Sequence, residues 1–273
     1  MGYSIFDETM VDMPWPEIEA AAEKGAIVLL PLGIIEEHGP HMGLAVDMYA
    51  AYLVSLLAKH KLMTRGIASL IAPPNYWGVS SGTSVFPGTF SMRPETMKAV
   101  VYDILASLKS WKFTRVFIIN WHADIQHCRA IIAALKDARR DIAIDAICMV
   151  SAFDVRRLRL TGNEDYILVQ QAPPLVGVAE KYLDVHAGSM ETAVMVKYFP
   201  KHVKTALAKK LKATKLTFDD LKGLGKSNEA TRQLIPDGYF GNPAGYDTDA
   251  AEKYIEAYST NTADAIEGYL KRK

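Results

Sequence analysis

Ala26-Ile27-Val28-Leu29-Leu30-Pro31-Leu32-Gly33-Ile34-Ile35-Glu36-Glu37-His38-Gly39-Pro40-His41-Met42-Gly43-Leu44-Ala45-Val46-Asp47 joins an apolar run to a cluster of ionisable groups. Ala26 to Leu32 is too short for a helix and rich in β-branched and large aliphatic residues, so it reads as a buried strand. Charged groups just past the C-terminal end of such a strand sit where open α/β sheets place their ligand clefts. Glu36 and His38 are two apart, and extended backbone points both to one side. Gly39-Pro40 and Gly43 turn the chain, and Asp47 returns at the start of a helix. Glu, His and Asp converging in this way suit a divalent metal with mixed nitrogen and oxygen ligands. The structural alternative for Asp47 is a helix N-cap.

Outward from this stretch the pattern repeats. A first helix over Pro16 to Lys24 precedes it. A helix from Met48 to His60 follows, with Tyr49, Leu53, Leu56 and Leu57 at helical spacing. Ile67 to Ala72 is a second apolar run, ended by Pro73-Pro74. Asn75 to Thr89 is a loop of Gly, Ser and Pro with aromatics between, and so long an irregular segment is commonly functional. A helix runs from Arg93 to Trp111, with Val100, Ile104, Leu105 and Leu108 as its buried stripe. Strand Val116 to Ile119 then ends in a second chemical cluster, Asn120-Trp121-His122-Ala123-Asp124. Two sibling strand ends, each with a His and a carboxylate, point to a metal site more strongly than either alone. Asp124 is also a candidate N-cap for the next helix, Ile125 to Arg139. Strand Ile142 to Val150 closes a β-α-β-α-β-α-β pattern. That order predicts an α/β fold, a three-layer α/β/α sandwich with a mostly parallel central sheet. The whole chain, 1–273, reads as a single domain.

Ser151 to Val178 reads as exposed and lid-like. Asp184 to Thr192 is a third cluster, with His186 and Glu191. Glu191 falls in the first turn of a helix, Met190 to Tyr198, where a carboxylate is electrostatically favoured in any case. The stretch after Pro200 reads as basic and helical, with Lys209, Lys210, Lys212 and Lys215 on a solvated face. Gly225 to Asp247 reads as irregular, and Ala250 to Leu270 as a closing helix. His41 is a candidate for lining the site, whereas His127 reads as facing out of its helix.

The first stretch resembles the signature of the creatininase (creatinine amidohydrolase) family, Pro-x-Gly-x-x-Glu-x-His-Gly-x-His ending in Asp. Phe86-Pro87-Gly88-Thr89 resembles the end of that family's second signature, though Thr83 stands where the family usually has His. Asn120 and His122 match an Asn-Gly-His-Gly-Gly-Asn motif whose glycines are replaced here. His186 to Thr192 matches His-Ala-Gly-x-x-Glu-Thr in full. The resemblance covers Trp15 to about Thr192. It implies two divalent metal ions per chain (Zn, Mn or Fe) and hydrolysis of a small cyclic amide or lactam by metal-bound hydroxide. Glu36, Asp47 and His122 would hold one ion. His38, the bridging Asp47 and Asp124 would hold the other, with Glu191 as the alternative to Asp124. His186 and Glu191 are the catalytic candidates, and His186, with an ordinary pKa near neutrality, suits proton transfer. Ser80, Trp121, Ala123 and Tyr182 are the candidate substrate-binding residues. The same metal site could serve a formamide, a peptide or an oxidised-inositol cyclic ketone. A metal-free binding protein that kept the fold is the non-enzymatic alternative. The resemblance also implies a homo-oligomer, often a hexamer.

Composition limits the other classes. The chain has 273 residues, 49% hydrophobic, with a formal net charge of +0. That length can bury an ample core. Zero net charge argues against nucleic acid, whose phosphates need a basic surface, so the expected partner is a small-molecule substrate. Two cysteines, Cys128 and Cys148, in a helical and a strand pattern, read as buried thiols and fit the cytoplasm. No signal-peptide pattern and no membrane-spanning run is present, and no Gly-x-Gly-x-x-Gly or Walker pattern suggests a nucleotide.

Overall fold

The computed structural model describes residues 4–173 and 183–272. Helix α1 (Trp15–Glu23) leads into strand β1 (Ile27–Leu32), and α2 (Val46–Thr64) returns the chain to β2 (Ser69–Ile71). There follow α3 (Pro94–Ser110), β3 (Arg115–Asn120), α4 (Ile125–Ile142), β4 (Asp145–Ser151), α5 (Ala152–Leu158) and β5 (Ile167–Gln170). The C-terminal part adds α6 (Ser189–Tyr198), the short α7 (Thr205–Ala208), α8 (Asn228–Leu234) and the long α9 (Thr248–Arg272).

The five strands are parallel and lie in the order β2-β1-β3-β4-β5. Side-chain alternation divides them between two cores. Val28, Leu30, Val116 and Ile118 pack toward α3 and α4. Ile27, Leu29, Phe117 and Ile119 pack toward α2, α6 and α9. Both faces are covered, which is why these strands read as continuous apolar runs. This is the α/β sandwich that the pattern predicts.

The strand order places the site. From β1 the chain crosses through α2, on one face, to β2. It then returns through α3, on the other face, to β3 on the opposite side of β1. The connections therefore diverge between β1 and β3, and such a switch point leaves a crevice at the C-terminal ends of those strands. Glu36 and His38 follow β1, and His122 follows β3.

Several elements differ from expectation. Strand β4 starts at Asp145, because α4 runs to Ile142 and Ala143 then turns in the left-handed conformation (φ 50°). The segment expected to be a lid instead holds α5 and β5. Ser151 and Asp154 form a capping box that starts α5, and β5 pairs with β4 at the sheet edge. A four-residue edge strand is too short to show periodicity. The basic stretch after Pro200 makes only the one turn of α7. Lys209 then places its ammonium 3.8 Å from the Tyr246 ring centroid, while Lys212 and Lys215 lie in irregular chain. The segment Gly225 to Asp247 contains α8. Cys128 and Cys148 are buried free thiols, as expected. Tyr182 lies outside the described residues. Among those described, no helix is long and apolar enough to cross a membrane.

Phe117, on the central strand, is fully buried and meets the Tyr269 ring edge-on at 5.8 Å. Phe117→Ala is expected to lower the unfolding free energy by about 3–5 kcal/mol. Urea denaturation checks this; a loss below about 1 kcal/mol would mean that the two faces are not packed as described.

Candidate metal centre

Three elements bring the ionisable groups together. The segment after β1 supplies Glu36 and His38, the first turn of α2 supplies Asp47, and the end of β3 supplies His122. Gly33 permits the approach of α2, since a Cβ there would lie 2.9 Å from the backbone carbon of Asp47. Ala45, not Asp47, is the N-cap of α2. The cap reading of Asp47 is thereby excluded, and its carboxylate points into the cluster.

His122 Nδ1 lies 3.0 Å from Glu36 Oε1 and 2.9 Å from Asp47 Oδ2. Its Nε2 donates to the Val79 carbonyl over 2.9 Å, which turns Nδ1 toward the carboxylates. His38 Nδ1 donates to the Glu36 carbonyl over 3.1 Å. Its Nε2 faces Asp47 Oδ1 at 3.6 Å and Glu191 Oε2 at 3.8 Å. Anchoring one ring nitrogen and presenting the other is how proteins fix metal-binding imidazoles. Two donor groups result, Glu36–Asp47–His122 and His38–Asp47–Glu191, and they share Asp47. A third, Glu36–His38–His186, adjoins them. His38 Nε2 is buried without a hydrogen-bond partner, and Asp47 Oδ2 has none unless His122 Nδ1, 2.9 Å away, carries a proton. Orphaned atoms on a nitrogen–carboxylate set are what a divalent cation satisfies, so these residues fit a metal.

The electrostatics agree. Burial would raise Glu36, but the His122 charge and then that of His186 outweigh it and hold the carboxyl at about 2. Burial opposes the charge on Asp47 too, yet His122 and His38 keep it below the usual range. In turn, against burial, Glu36 and Asp47 raise His122 well above its ordinary value. His38 is also raised, by Asp47 and Glu191, against burial and the neighbouring His186. These carboxylates remain ionised at neutral pH and require positive charge beside them, from imidazolium protons or from cations.

His186 stands at the edge of the cluster, its ring 4.4 Å from that of His38. Its Nε2 donates to the Glu37 carbonyl over 2.8 Å and lies 3.3 Å from Glu37 Oε1. Its Nδ1 faces Glu36 Oε1 at 3.9 Å. Burial lowers it, but the Glu37 bond and the charges of Glu36 and Glu191 carry it up to about 10. The Phe240 strand segment backs it through paired main-chain bonds. Glu191 is raised by burial, against the pull of His38 and His186, and its Oε2 accepts from the Ala187 N–H.

Asp124 is not brought into the cluster. It caps α4, accepting from Gln126 and His127 N–H, and its other oxygen takes the Ser81 N–H. Glu191 is the carboxylate that lies beside His38 and Asp47. Of the candidate substrate residues, Ser80 is buried and bonded to Thr83. Trp121 packs on Tyr258 and Tyr254, and the Ala123 carbonyl accepts from Arg157. Thr83, which departs from the family pattern, donates to Glu36 Oε2 and so orients that carboxylate. His41 is buried beside the site, bonded to Thr192 at 2.8 Å; burial and His38 lower it to about 4. His127, expected to face solvent, is fully buried. Burial and the adjacent His122 push it well below the usual range.

A parallel α/β sheet with imidazoles and carboxylates gathered at its switch point defines a class, the α/β proteins with a candidate divalent-metal centre at the strand ends. The creatininase model, described as creatinine amidohydrolase, matches residues 11–266, and the chain belongs to that family. It is 27% identical over 203 residues to a creatinine amidohydrolase of Pseudomonas putida, covering 69% of this chain and 71% of that one. It is 28% identical over 118 residues to a mycofactocin precursor peptide peptidase of Mycobacterium ulcerans (strain Agy99), covering 42% of this chain and 47% of that one. Among solved structures, a creatininase in a manganese form superposes with a TM-score of 0.68 at 22% identity, covering 96% and 98% of the two chains. A mutant creatininase of Zn-Zn type gives 0.67 at 21% over 98% and 99%. These superpositions bear on the fold, and the family makes the chain a hydrolase.

Two outcomes are expected from the geometry. Asp124→Ala is expected to cost about 0.5–2 kcal/mol of stability, as a lost cap does, while metal content by elemental analysis stays at the wild-type level. A protein short of metal after this substitution would return Asp124 to the ligand set. Second, protons compete with metal at the raised imidazoles. Unperturbed histidines would stop competing above about pH 6.5. Here zinc affinity is expected to keep rising with pH through neutrality, with proton release seen by calorimetry in buffers of different ionisation enthalpy. Affinity that levels off below pH 7 would contradict the raised values.

Proposed function

We propose that this hydrolase cleaves a carbon–nitrogen bond in a small cyclic amide at a pair of divalent ions. The observation that carries the proposal is the sharing of Asp47 between two donor groups. Glu36, Asp47 and His122 would hold one ion, and His38, Asp47 and Glu191 the other. Such ions, when bound, would supply an acidified water and polarise the amide carbonyl. The remaining work falls to the chain. The Glu37 bond and the carboxylates around His186 favour its protonated form, the form that donation to a departing nitrogen requires. The Glu37 carbonyl holds His186 Nε2, so Nδ1 is the nitrogen turned toward Glu36 and the reaction. Thr83 holds Glu36 from behind. Hydrolysis then adds water across the amide, leaving a carboxylate and an amine.

The longer of the two matches, to a creatinine amidohydrolase over 69% of this chain against 42% for the peptide peptidase, favours a small cyclic amide over a peptide.

Metal-dependent hydrolysis of creatinine and related lactams, abolished by chelation and restored by manganese or zinc, is the expected result. Activity confined to peptides would move the substrate to the second class of relative. His186→Asn is expected to lower kcat by about 10²–10⁴-fold with unchanged metal content. Full activity in that variant would remove His186 from proton transfer. Asp47→Ala is expected to lose both metals, and a variant that keeps two would sink the bridging assignment.

A further inference from the structure

His127 lies in the first turn of α4, fully buried, and belongs to neither donor group. The Val79 N–H donates to its Nδ1 over 3.2 Å, and its Nε2 lies 2.9 Å from Asn120 Oδ1. A ring nitrogen that accepts from an amide carries no proton, so Nε2 carries it and donates to Asn120. The Asn120 amide then points its Nδ2 at the His122 carbonyl, at 2.6 Å. The carbonyl of that same Val79 accepts from His122 Nε2. Both polar groups of Val79 are thus held by imidazoles, its N–H by His127 and its carbonyl by His122. The two rings meet at right angles with centroids 4.8 Å apart.

Each bond in this circuit has only one possible direction. A carbonyl can only accept and a backbone N–H can only donate. The Val79 carbonyl therefore requires the proton on His122 Nε2, which leaves Nδ1 to face Glu36 and Asp47. The loop that carries Val79 is tied on either side, by the Met92 N–H to the Gly78 carbonyl and by the Ser80 N–H to Ser91 Oγ; His127 is the group that holds the Val79 N–H itself. The fit is close at Gly78, where a Cβ would come within 2.7 Å of His127 Nδ1 and 3.0 Å of Ile34 Cβ. Any side chain at that position would displace the ring.

We propose that His127 is a positioning residue for the metal ligand His122, acting through the Val79 peptide and the Asn120 amide. The proposal rests on the reading of Glu36, Asp47 and His122 as one metal group. It concerns that group alone, because the circuit touches neither His38 nor Glu191.

The test uses the full chain and zinc alone as the probe. His127→Phe keeps a planar ring and removes both bonds. It is expected to weaken zinc at the Glu36–Asp47–His122 group by about 10–100-fold, the usual effect of losing a residue behind a metal ligand, with the second group changed by less than about threefold. His127→Gln, which can both accept from Val79 and donate to Asn120, is expected to restore most of that loss. A merely structural histidine would weaken both groups together or neither. Nitrogen-15 spectra of the zinc-loaded protein give a second readout. The wild type is expected to show His127 with its proton on Nε2 and a slowly exchanging proton on His122 Nε2. In His127→Phe, the His122 proton is expected to exchange rapidly. A wild-type His127 with its proton on Nδ1 overturns the proposal, whether or not any variant folds. Equal zinc affinities in wild type and His127→Phe, with the His122 signal unmoved, overturn it as well. Wild-type protein that binds no zinc, manganese or iron fails at the earlier step, the metal reading itself.

Discussion

Asp47 is the group on which this structure turns. It is buried within reach of two other carboxylates, the buried Glu36 and the half-buried Glu191, and two imidazoles, His38 and His122, compete for it. Carboxylates so placed repel one another and lose hydration, so their burial is tolerable only with positive charge between them. An imidazolium proton provides it in part. A divalent cation provides it more completely, because one ion can satisfy several oxygens at once. His38 Nε2, buried without a hydrogen-bond partner, and Asp47 Oδ2, which has none unless His122 Nδ1 carries a proton, mark where that charge belongs.

The sheet makes the arrangement rigid. Each imidazole is tied at its second nitrogen to a backbone carbonyl: His38 to Glu36, His122 to Val79, and His186 to Glu37. A backbone acceptor cannot rotate away or change its proton count, so the free nitrogens have fixed directions. Two of these three carbonyls belong to the segment after β1. The third lies in the loop between β2 and α3, and the switch point brings that loop beside β3. Side chains distant in sequence therefore meet on a frame whose positions are set by parallel strand pairing and by two packed faces.

Much of this was legible in the sequence. The run from Ala26 to Leu32 and its sibling at Val116 to Ile119 read as strands because both faces are buried. The polar residues at their ends followed from where parallel sheets place clefts. Position pointed to Glu36, His38 and His122 as ligand candidates, since each lies within a few residues of a strand end. What stayed hidden depends on contacts between distant segments. Asp124 and Glu191 both sit at helix starts, and no local pattern says which one caps and which one turns inward. His127 lies at a position that the helical pattern leaves outside, and a long irregular loop covers it. The β5 strand has four residues and one neighbour, so its existence depends on β4 rather than on its own period.

The exchange of Asp124 for Glu191 has a physical reason. Asp124 begins α4 directly after β3, and its short side chain is the ideal length to accept from the N–H groups of its own helix. Its second oxygen is taken by Ser81, so neither is left for a metal. Glu191 is the third residue of its helix and has a longer side chain. It reaches the His38 side of Asp47 while its Oε2 also accepts from Ala187. Asp184 caps α6 in its place, through Ser189 and Met190. At α6 the capping role and the inward role fall to two carboxylates, whereas at α4 the single carboxylate caps and none turns inward. A carboxylate whose helix is already capped by another residue is the one free to turn toward a cation.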